Sequence, residues 1–209
     1  MRVIAGRAKG RLLVAPKGLA VRPTSDKVKG AIFSMIEAIA LIRVETSPSS
    51  VPWPFLNVLD LYAGTGALGI EALSRGSSHV DFVEPSNHAR QALAENLART
   101  AFGPLATIHA RRAQAALSTL SGPYDLILLD PPYDDPSISS VLEILGASTL
   151  LAPTALVIAE HSRSRSLPAQ AGALVLARSR YHGQTAISLF LVPTSDPPGE
   201  QAQTLDAAF

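Results

Sequence analysis

The fold is decided by the stretch Asn57-Val58-Leu59-Asp60-Leu61-Tyr62-Ala63-Gly64-Thr65-Gly66-Ala67-Leu68-Gly69-Ile70. An apolar run with one acidic residue is followed by two glycines that one residue separates, and then by an alanine- and leucine-rich segment. This pattern predicts a buried strand, a tight turn and the start of a helix. Because glycine has no Cβ, such a turn lets the backbone approach a ligand closely. The stretch therefore predicts a site for a nucleotide-like molecule.

The composition is that of a soluble protein. With 209 residues and 47% hydrophobic content, the chain can bury a full core, as one domain with a small appendage. It contains no cysteine, which excludes disulfides and thiolate metal sites. Its first residues do not resemble a signal peptide, and no apolar run is long enough to span a bilayer. We therefore expect a cytoplasmic protein that does not associate with membranes.

Positive charge is concentrated in the N-terminal region. Residues 1–30 contain one acid and eight basic residues, a net charge of +7, which leaves −6 for the rest of a chain whose total is +1. A basic region on an acidic body favours a polyanionic partner, but a solvated basic face without a partner fits the charge equally well. The eight basic residues are Arg2, Arg7, Lys9, Arg11, Lys17, Arg22, Lys27 and Lys29.

Residues 1–42 are predicted to form an extension made of a hairpin and a helix. Residues 2–15 have the pattern of two short strands around a glycine-containing turn, and residues 16–23 form a connector. Thr24 or Ser25 caps the helix that follows. Apolar residues recur in this helix at helical spacing and predict its buried face: Val28, Ala31, Ile32, Met35, Ile36 and Ile39.

Two lysines and two polar segments complete the outline. Lys27 and Lys29 fall outside the apolar stripe of the helix, so we expect both to stay exposed and available to solvent or to an anion. Residues 43–56 are predicted to be a Ser/Pro-rich linker, with Trp53 packed against the body. Residues 193–209 are small and polar, which predicts a disordered tail.

Strand and helix patterns alternate through residues 57–192, the predicted catalytic domain. This alternation implies an α/β fold with a mostly parallel seven-stranded sheet and helices on both faces. A terminal hairpin, with Gly183 in its turn, adds an antiparallel C-terminal strand. The predicted strands are 58–62, 79–84, 105–110, 124–130, 155–160, 173–178 and 185–192, and the predicted helices are 68–75, 86–100, 113–120 and 137–145.

In an open α/β sheet, ligands bind at the carboxyl ends of the strands, near the point where strand order reverses. Asp60, Gly64 and Gly66 fall at this edge, and Glu84 ends the second strand, 18 residues after Gly66. An acid in this position can accept hydrogen bonds from both hydroxyls of a ribose. Because Gly64-x-Gly66-x-x-Gly69 also matches the dinucleotide fingerprint, these residues alone leave a nicotinamide-dependent oxidoreductase open.

The segment Asp130-Pro131-Pro132-Tyr133 follows the most apolar strand and indicates the reaction. Its two prolines restrict the backbone and carry no N–H, so the segment offers carbonyls and the Asp130 carboxylate as acceptors. A reaction at an exocyclic amine requires acceptors for the two N–H groups and an aromatic ring against the base. A dehydrogenase has no use for such a group.

The chain resembles the class I S-adenosylmethionine-dependent methyltransferases, and within them the bacterial enzymes that methylate N2 of a guanine in 16S ribosomal RNA, guanine 966 in that family. The resemblance implies a Rossmann-like fold and S-adenosylmethionine as cofactor, with S-adenosylhomocysteine as product and no metal. It also implies a monomer whose partner is 16S rRNA or a small-subunit assembly particle. The matching segments are residues 2–6 with 9–11, 22–28, 59–71 with 73–76, 130–133, and 183–184.

The resemblance assigns site residues by position. The catalytic residues, which hold the target guanine, would be Asp130, Pro131, Pro132 and Tyr133. The cofactor would be bound by Asp60, Tyr62, Ala63, Gly64, Thr65, Gly66, Glu84, Pro85, Arg112, Ala113 and Asp130. The RNA would be bound by Arg2, Arg7, Lys9, Arg11, Arg22, Thr24 and Lys27.

Arg112 departs from the family pattern. Many relatives place Asp or Asn at the end of the third strand to accept a hydrogen bond from the adenine amino group, and arginine cannot accept one. Either the backbone around Ala113 recognises adenine, or the equivalent residue lies one or two positions away. The segment 43–56 is also longer than is usual in the family.

Other acceptors remain open for the Asp-Pro-Pro-Tyr motif. A similar motif serves methyltransferases that act on adenine N6 of DNA or on a glutamine side chain of a protein. A catalytically inactive relative that only binds RNA is a further alternative.

Overall fold

The computed structural model describes residues 1–15, 25–46, 53–133 and 135–193. Its helices are α1 (Asp26–Thr46), α2 (Ala67–Arg75), α3 (Asn87–Thr100), α4 (Ala113–Leu117) and α5 (Ile138–Gly146), with a 3₁₀ helix at Gly103–Leu105. Its strands are β1 (Asn57–Leu61), β2 (His79–Val83), β3 (Ala106–His109), β4 (Tyr124–Leu129), β5 (Leu151–Ser162), β6 (Gln170–Ala171), β7 (Leu174–His182) and β8 (Thr185–Leu191). No helix within these ranges is long and apolar enough to cross a membrane.

All eight strands join one sheet in the order β3-β2-β1-β4-β5-β8-β7-β6. The first five are parallel, whereas β8 runs antiparallel to both β5 and β7, and β6 runs antiparallel to β7. The predicted α/β architecture is confirmed, including the antiparallel C-terminal strand. The predicted count of seven strands missed β6, because two residues are too few to show an alternating pattern.

Helices cover both faces of the sheet. Side chains alternate between the two faces along a strand. Val58 of β1 accordingly joins one apolar cluster, while Leu59 and Leu61 join another. Helices α1, α2 and α3 contribute to the first cluster, and α4 and α5 to the second.

The apolar stripe of α1 faces the core, as predicted. Ser25 caps the helix, because its Oγ accepts a hydrogen bond from the Val28 N–H at 3.2 Å. Trp53 also packs as predicted: its ring stacks on Phe33 of α1, and its Nε1 donates to Ser77 Oγ at 2.9 Å. The buried residues of the stripe are Val28, Ile32, Met35, Ile36 and Ile39, with Ala31 partly buried against the same cluster.

Residues 1–15, called the arm below, are held by helix α2. The two halves of the arm pair as predicted, but over a short length: one isolated antiparallel bridge joins Arg2 and Leu12, and the Val3 N–H donates to the Arg11 carbonyl at 2.9 Å. The backbone of the arm also donates to side chains of α2, with the Ile4 and Ala5 N–H groups on the Glu71 carboxylate at 2.7 and 2.9 Å. The arm also buries Val3, Ala8 and Leu13 in the first apolar cluster.

The prediction for Lys29 is wrong. Its side chain is fully buried, with Nζ 3.6 Å from Glu71 Oε2 and donating to the Arg2 carbonyl at 2.6 Å. Burial lowers the pKa of Lys29, and the nearby charges of Glu71 and Asp26 oppose this shift. Helical spacing does not reveal such a partner, because Glu71 lies on another helix. Lys27 is exposed, as predicted.

Some predictions fall outside the described residues. These are the connector at 16–23, Thr24 as a cap, residues 47–52 of the linker, and the tail beyond Pro193.

Gly69 lies where α2 packs on β2. A Cβ at this position would stand 2.3 Å from Phe82 Cε1 and 2.9 Å from Val80 Cγ1. We expect Gly69→Ala to lower the free energy of unfolding by about 1–3 kcal/mol, because the methyl group overpacks a dense interior. Urea unfolding followed by Trp53 fluorescence measures this change.

Gly103→Ala is the matched control, since a Cβ there meets nothing within 4 Å. Equal free energies of unfolding for the two variants would show that α2 and β2 can move apart without a loss of stability.

Candidate active site

The candidate site lies at the carboxyl ends of β1 and β4, the two neighbouring strands from which the chain departs in opposite directions. Their last residues, Leu61 and Leu129, are paired, so the loops that begin at Tyr62 and Asp130 are adjacent. This is the switch point at which α/β sheets bind ligands. The structure thus brings together the loop 62–66, called the glycine loop, and the segment 130–133, called the acceptor loop.

The glycine loop turns through residues with positive φ. Tyr62 has a φ of 63°, which is uncommon for a residue with a side chain, and its hydroxyl is hydrogen-bonded to Ser137 Oγ at 2.9 Å. Gly64 has a φ of +54°, and a Cβ added to it would meet nothing nearer than 4.0 Å, so this residue faces open space. Gly66 has a φ of +83°, which favours glycine, and its Cβ would stand 2.2 Å from Leu93 Cδ1, so that side chain would have to shift.

Asp60 is buried and holds the start of α2. Gly66 occupies the N-cap and has no side chain to accept from the first N–H groups of the helix. Asp60 supplies that acceptor from β1, with Oδ2 2.9 Å from the Gly69 nitrogen. Burial raises the pKa of Asp60 to about 8; the Gly69 hydrogen bond opposes this rise, and the charges of Asp130 and Glu84 add to it. Three carboxyl groups therefore interact at this edge.

Glu84 connects the glycine loop to α3. Its Oε2 accepts from the Gly64 N–H at 2.9 Å, and its Oε1 accepts from the Ser86 N–H at 2.7 Å. Each carboxylate oxygen keeps a second lone pair after these bonds. The next residue, Pro85, is exposed, and its carbonyl accepts from Arg90.

Arg112 and Ala113 lie beyond the end of β3. Arg112 is the N-cap of α4, its side chain is exposed, and it makes no capping hydrogen bond. Ala113 is buried and is the first residue of the helix, where a backbone N–H has no partner within the helix. The position therefore offers donors, and no carboxylate.

The acceptor loop is anchored to the strands on its far side. Asp130 is half-buried, Pro131 is buried and Pro132 is exposed. The Tyr133 hydroxyl is hydrogen-bonded to Thr185 Oγ1 at the start of β8, and the Tyr133 carbonyl accepts from Arg165 Nη2 at 3.4 Å.

Three of the predicted RNA-binding cations gather around one cavity. Arg2, Lys9 and Lys27 are exposed and line a space of about 450 Å³, together with Asp26 and the glycines at 10 and 30. Three cations against one acid make this cavity suited to an anionic group.

Two other predicted RNA-binding cations, Arg7 and Arg11, do not line this cavity. Arg7 attaches the arm to the body: its guanidinium donates to the Leu73 carbonyl at 3.1 Å and lies 5.3 Å from the centre of the Phe102 ring. Arg11 is exposed. Arg22 and Thr24 lie outside the described residues.

Two features of the site region were missed from the sequence. Asn96 of α3 is fully buried and donates to the carbonyls of Val14 and Thr65 at 3.0 and 2.9 Å, which ties the arm to the glycine loop. No local pattern marks an asparagine inside a helix for this role. Residues 161–192 contain four arginines and no acid, a charge signal that was available in the sequence.

Comparison with known proteins identifies the family. The sequence model of the family described as "Conserved hypothetical protein 95" matches residues 1–191. The chain belongs to this family. It is 36% identical to "Putative rRNA methyltransferase YlbH" of Bacillus subtilis, over 91% of this chain and 98% of that protein. It is 28% identical to "Ribosomal RNA small subunit methyltransferase D" of Escherichia coli, over 91% of this chain and 89% of that one.

A solved structure extends the likeness to three dimensions. "Putative methyltransferase yhhF" from Escherichia coli matches with a TM-score of 0.75 and 28% identity, over 93% of this chain and 99% of that chain. The fold and the family are those of class I methyltransferases, so the family predicted from the motifs is confirmed.

The pKa of Asp60 predicts an unusual dependence of stability on pH. Between its ordinary value of 3.8 and the folded value of about 8, the folded protein holds a proton that the unfolded chain lacks. The stability from this group is therefore complete below pH 3.8 and is lost as pH rises to 8, by up to about 1.4 kcal/mol per pH unit.

Asp60→Asn keeps an acceptor oxygen for the Gly69 N–H but cannot titrate, so we expect it to flatten this slope. Urea unfolding of both proteins between pH 5 and pH 8 compares the slopes. Indistinguishable slopes would mean that Asp60 is ionised throughout this range.

Proposed function

We propose that the protein transfers a methyl group from S-adenosylmethionine to the exocyclic N2 of a guanine in 16S ribosomal RNA. The observation that carries this proposal is the pairing of Leu61 with Leu129, which sets the open glycine loop beside the acceptor loop. The first loop suits a methyl donor, and the second suits an amine. The names of the Bacillus subtilis and Escherichia coli relatives, which refer to rRNA methylation, support RNA as the substrate.

The charge of the site favours S-adenosylmethionine over a dinucleotide. This cofactor carries a positive sulfonium and a positive amino group, and the carboxylates of Glu84 and Asp130 lie at the site, close enough for their charges to raise the pKa of Asp60. The pyrophosphate of a nicotinamide dinucleotide would be repelled by the same carboxyl groups. The electrostatics therefore argue against the oxidoreductase that the glycine fingerprint left open.

The described residues fit the parts of this cofactor. Gly64 leaves space for its methionine part. Glu84 is oriented by Gly64 and Ser86, and its remaining lone pairs suit the two ribose hydroxyls. The backbone N–H of Ala113 suits a ring nitrogen of adenine. It would recognise adenine in this chain, which has Arg112 where many relatives have Asp or Asn.

The acceptor loop makes the target amine a nucleophile. The lone pair of a guanine amine is delocalised into the ring, which makes the nitrogen a weak nucleophile. The Asp130 carboxylate and the Pro131 carbonyl accept from its two N–H groups and direct the lone pair outward. Bound S-adenosylmethionine supplies the methyl group from a sulfonium, whose thioether leaves without an acid. Asp130 accepts the proton that the methylated nitrogen releases.

Positioning supplies most of the acceleration in this mechanism. Well-aligned reactants gain up to roughly 7–11 kcal/mol over reactants that must meet in solution. Tyr133 holds the plane of the base by stacking on it, and the contact of its hydroxyl with Thr185 fixes its ring. The guanine must be splayed out of the RNA to enter.

We expect Asp130→Ala to reduce methyl transfer by about 10²–10³-fold, the usual effect of removing a group that stabilises developing charge. Stabilisation by S-adenosylhomocysteine in thermal unfolding should stay nearly unchanged, because this product lacks the positive sulfonium that Asp130 would face, and because the glycine loop and Glu84 remain. Glu143→Ala, at an exposed acid on α5, is the control. Full turnover by Asp130→Ala would overturn the catalytic assignment.

The acceptor is identified by nucleoside analysis of 16S rRNA from cells with and without this gene. Loss of N2-methylguanosine is the expected result. If the cells without the gene instead lack a methyl group on DNA adenine or on a protein glutamine, that molecule is the substrate. If rRNA, DNA and protein methylation are all unchanged, the protein is an inactive relative.

The cavity around Arg2, Lys9 and Lys27 predicts a salt-dependent RNA contact. We expect Lys9→Gln and Lys27→Gln each to lower RNA affinity and to reduce the slope of log Kd against log salt by about one. Arg99→Gln, on an exposed arginine of α3, is the charge-matched control. If both variants have the same slope of log Kd against log salt as the wild type, the cavity is not part of the RNA interface.

A further inference from the structure

A basic surface adjoins the acceptor loop on the side of β8. It is made by Arg163, Arg165, Tyr181 and the turn at residues 183–184, and is called the hairpin patch below. Residues 161–192, to which it belongs, contain four arginines and no acidic residue. The patch therefore differs in charge from the neighbouring cofactor site, with its three interacting carboxyl groups.

Hydrogen bonds fix the hairpin patch to the acceptor loop. At the end of β5, Ser162 pairs with Thr185, and the Arg163 N–H donates to the Gln184 carbonyl at 2.8 Å. Thr185 holds the Tyr133 hydroxyl, and Arg165 donates to the Tyr133 carbonyl. Arg165 therefore contacts the acceptor loop directly, and Tyr181, which pairs with Ala186, lies one register position from Thr185.

The exposed groups of the patch suit a nucleotide. The Tyr181 side chain is 57% exposed, and the Arg163 guanidinium carbon lies 5.1 Å from the centre of its ring. An aromatic ring this exposed contributes little to the core. Tyrosine rings and guanidinium planes are the surfaces on which unpaired bases stack, and arginine also binds phosphate.

We propose that the hairpin patch binds the nucleotide next to the methylated guanine, with its base on Tyr181 and its phosphate on Arg163. This inference rests on the proposed function, because it takes the acceptor loop as the place of the target base. Splaying out the guanine removes stacking from its neighbour, and Tyr181 replaces that stacking. The carboxylates of Glu84 and Asp130 repel the RNA backbone, so the phosphates stay on the arginines while the target base enters the site.

The test compares variants of the patch on a labelled single-stranded oligoribonucleotide that contains one guanine. We expect Tyr181→Ala to raise its Kd by about 5- to 150-fold, the effect of losing one stacked base, while Tyr181→Phe retains wild-type affinity. Arg163→Ala should weaken binding and reduce the salt slope by about one. Arg99→Ala is the matched control for a lost surface arginine.

Methyl transfer to small-subunit particles from cells lacking the gene gives a second readout. The patch variants should raise KM for the particle, leave kcat at saturation unchanged, and keep the thermal stabilisation by S-adenosylhomocysteine. This combination separates substrate binding from damage to the catalytic site or to the fold.

The outcomes distinguish the two proposals. If the wild type methylates guanine and the patch variants match it in Kd, salt slope and KM, the patch is overturned and the function stands. If the wild type methylates no RNA but the patch variants bind the oligoribonucleotide more weakly, the function fails and the patch remains an RNA site. A wild type that binds no RNA overturns both.

Discussion

The structure depends on one buried carboxylate, that of Glu71 in α2. Burying a charge is unfavourable unless it is paired and hydrogen-bonded, and Glu71 is fully buried among partners from three segments. It accepts from the backbone N–H groups of Ile4 and Ala5, it accepts from Arg75 within its own helix, and it lies beside the buried Lys29 of α1. These contacts lock the arm, α1 and α2 into one unit on one face of the sheet.

The unit formed by the arm, α1 and α2 makes the candidate site rigid. Helix α2 is held in its middle by Glu71 and at its start by Asp60, which lies on β1. The glycine loop joins these two elements. Glu84, just before α3, accepts from its Gly64 N–H, and Asn96 of α3 donates to its Thr65 carbonyl. A loop restrained from several directions can keep Tyr62 at an unfavourable positive φ. A loop ordered in this way would bind a ligand without first ordering its own backbone.

Patterns confined to short stretches predicted the central sheet, the glycine loop, the acceptor loop and the family. Contacts between distant residues were harder to predict. Lys29 looked exposed, because helical spacing reports only neighbours on the same helix and its partner Glu71 lies on another. Asn96 gave no signal for the same reason, since Val14 and Thr65 are its partners. The arginines of the hairpin patch could have been noticed from charge alone, but only the fold brings Arg165 into contact with Tyr133.

The arm is synthesised before the side chains that hold it. During synthesis, residues 1–15 emerge before Glu71, Ser74 and Asn96, to which Ile4, Ala8 and Val14 bind across 67, 66 and 82 positions of chain. Contacts of such separation are closed slowly, because the entropy of the intervening loop must be lost first. A nascent chain that ends before α3 lacks Asn96 and so cannot complete the arm. The cationic cavity around Lys9 lies next to Ile4 and Ala8, so it requires a chain that already extends past Glu71 and Ser74.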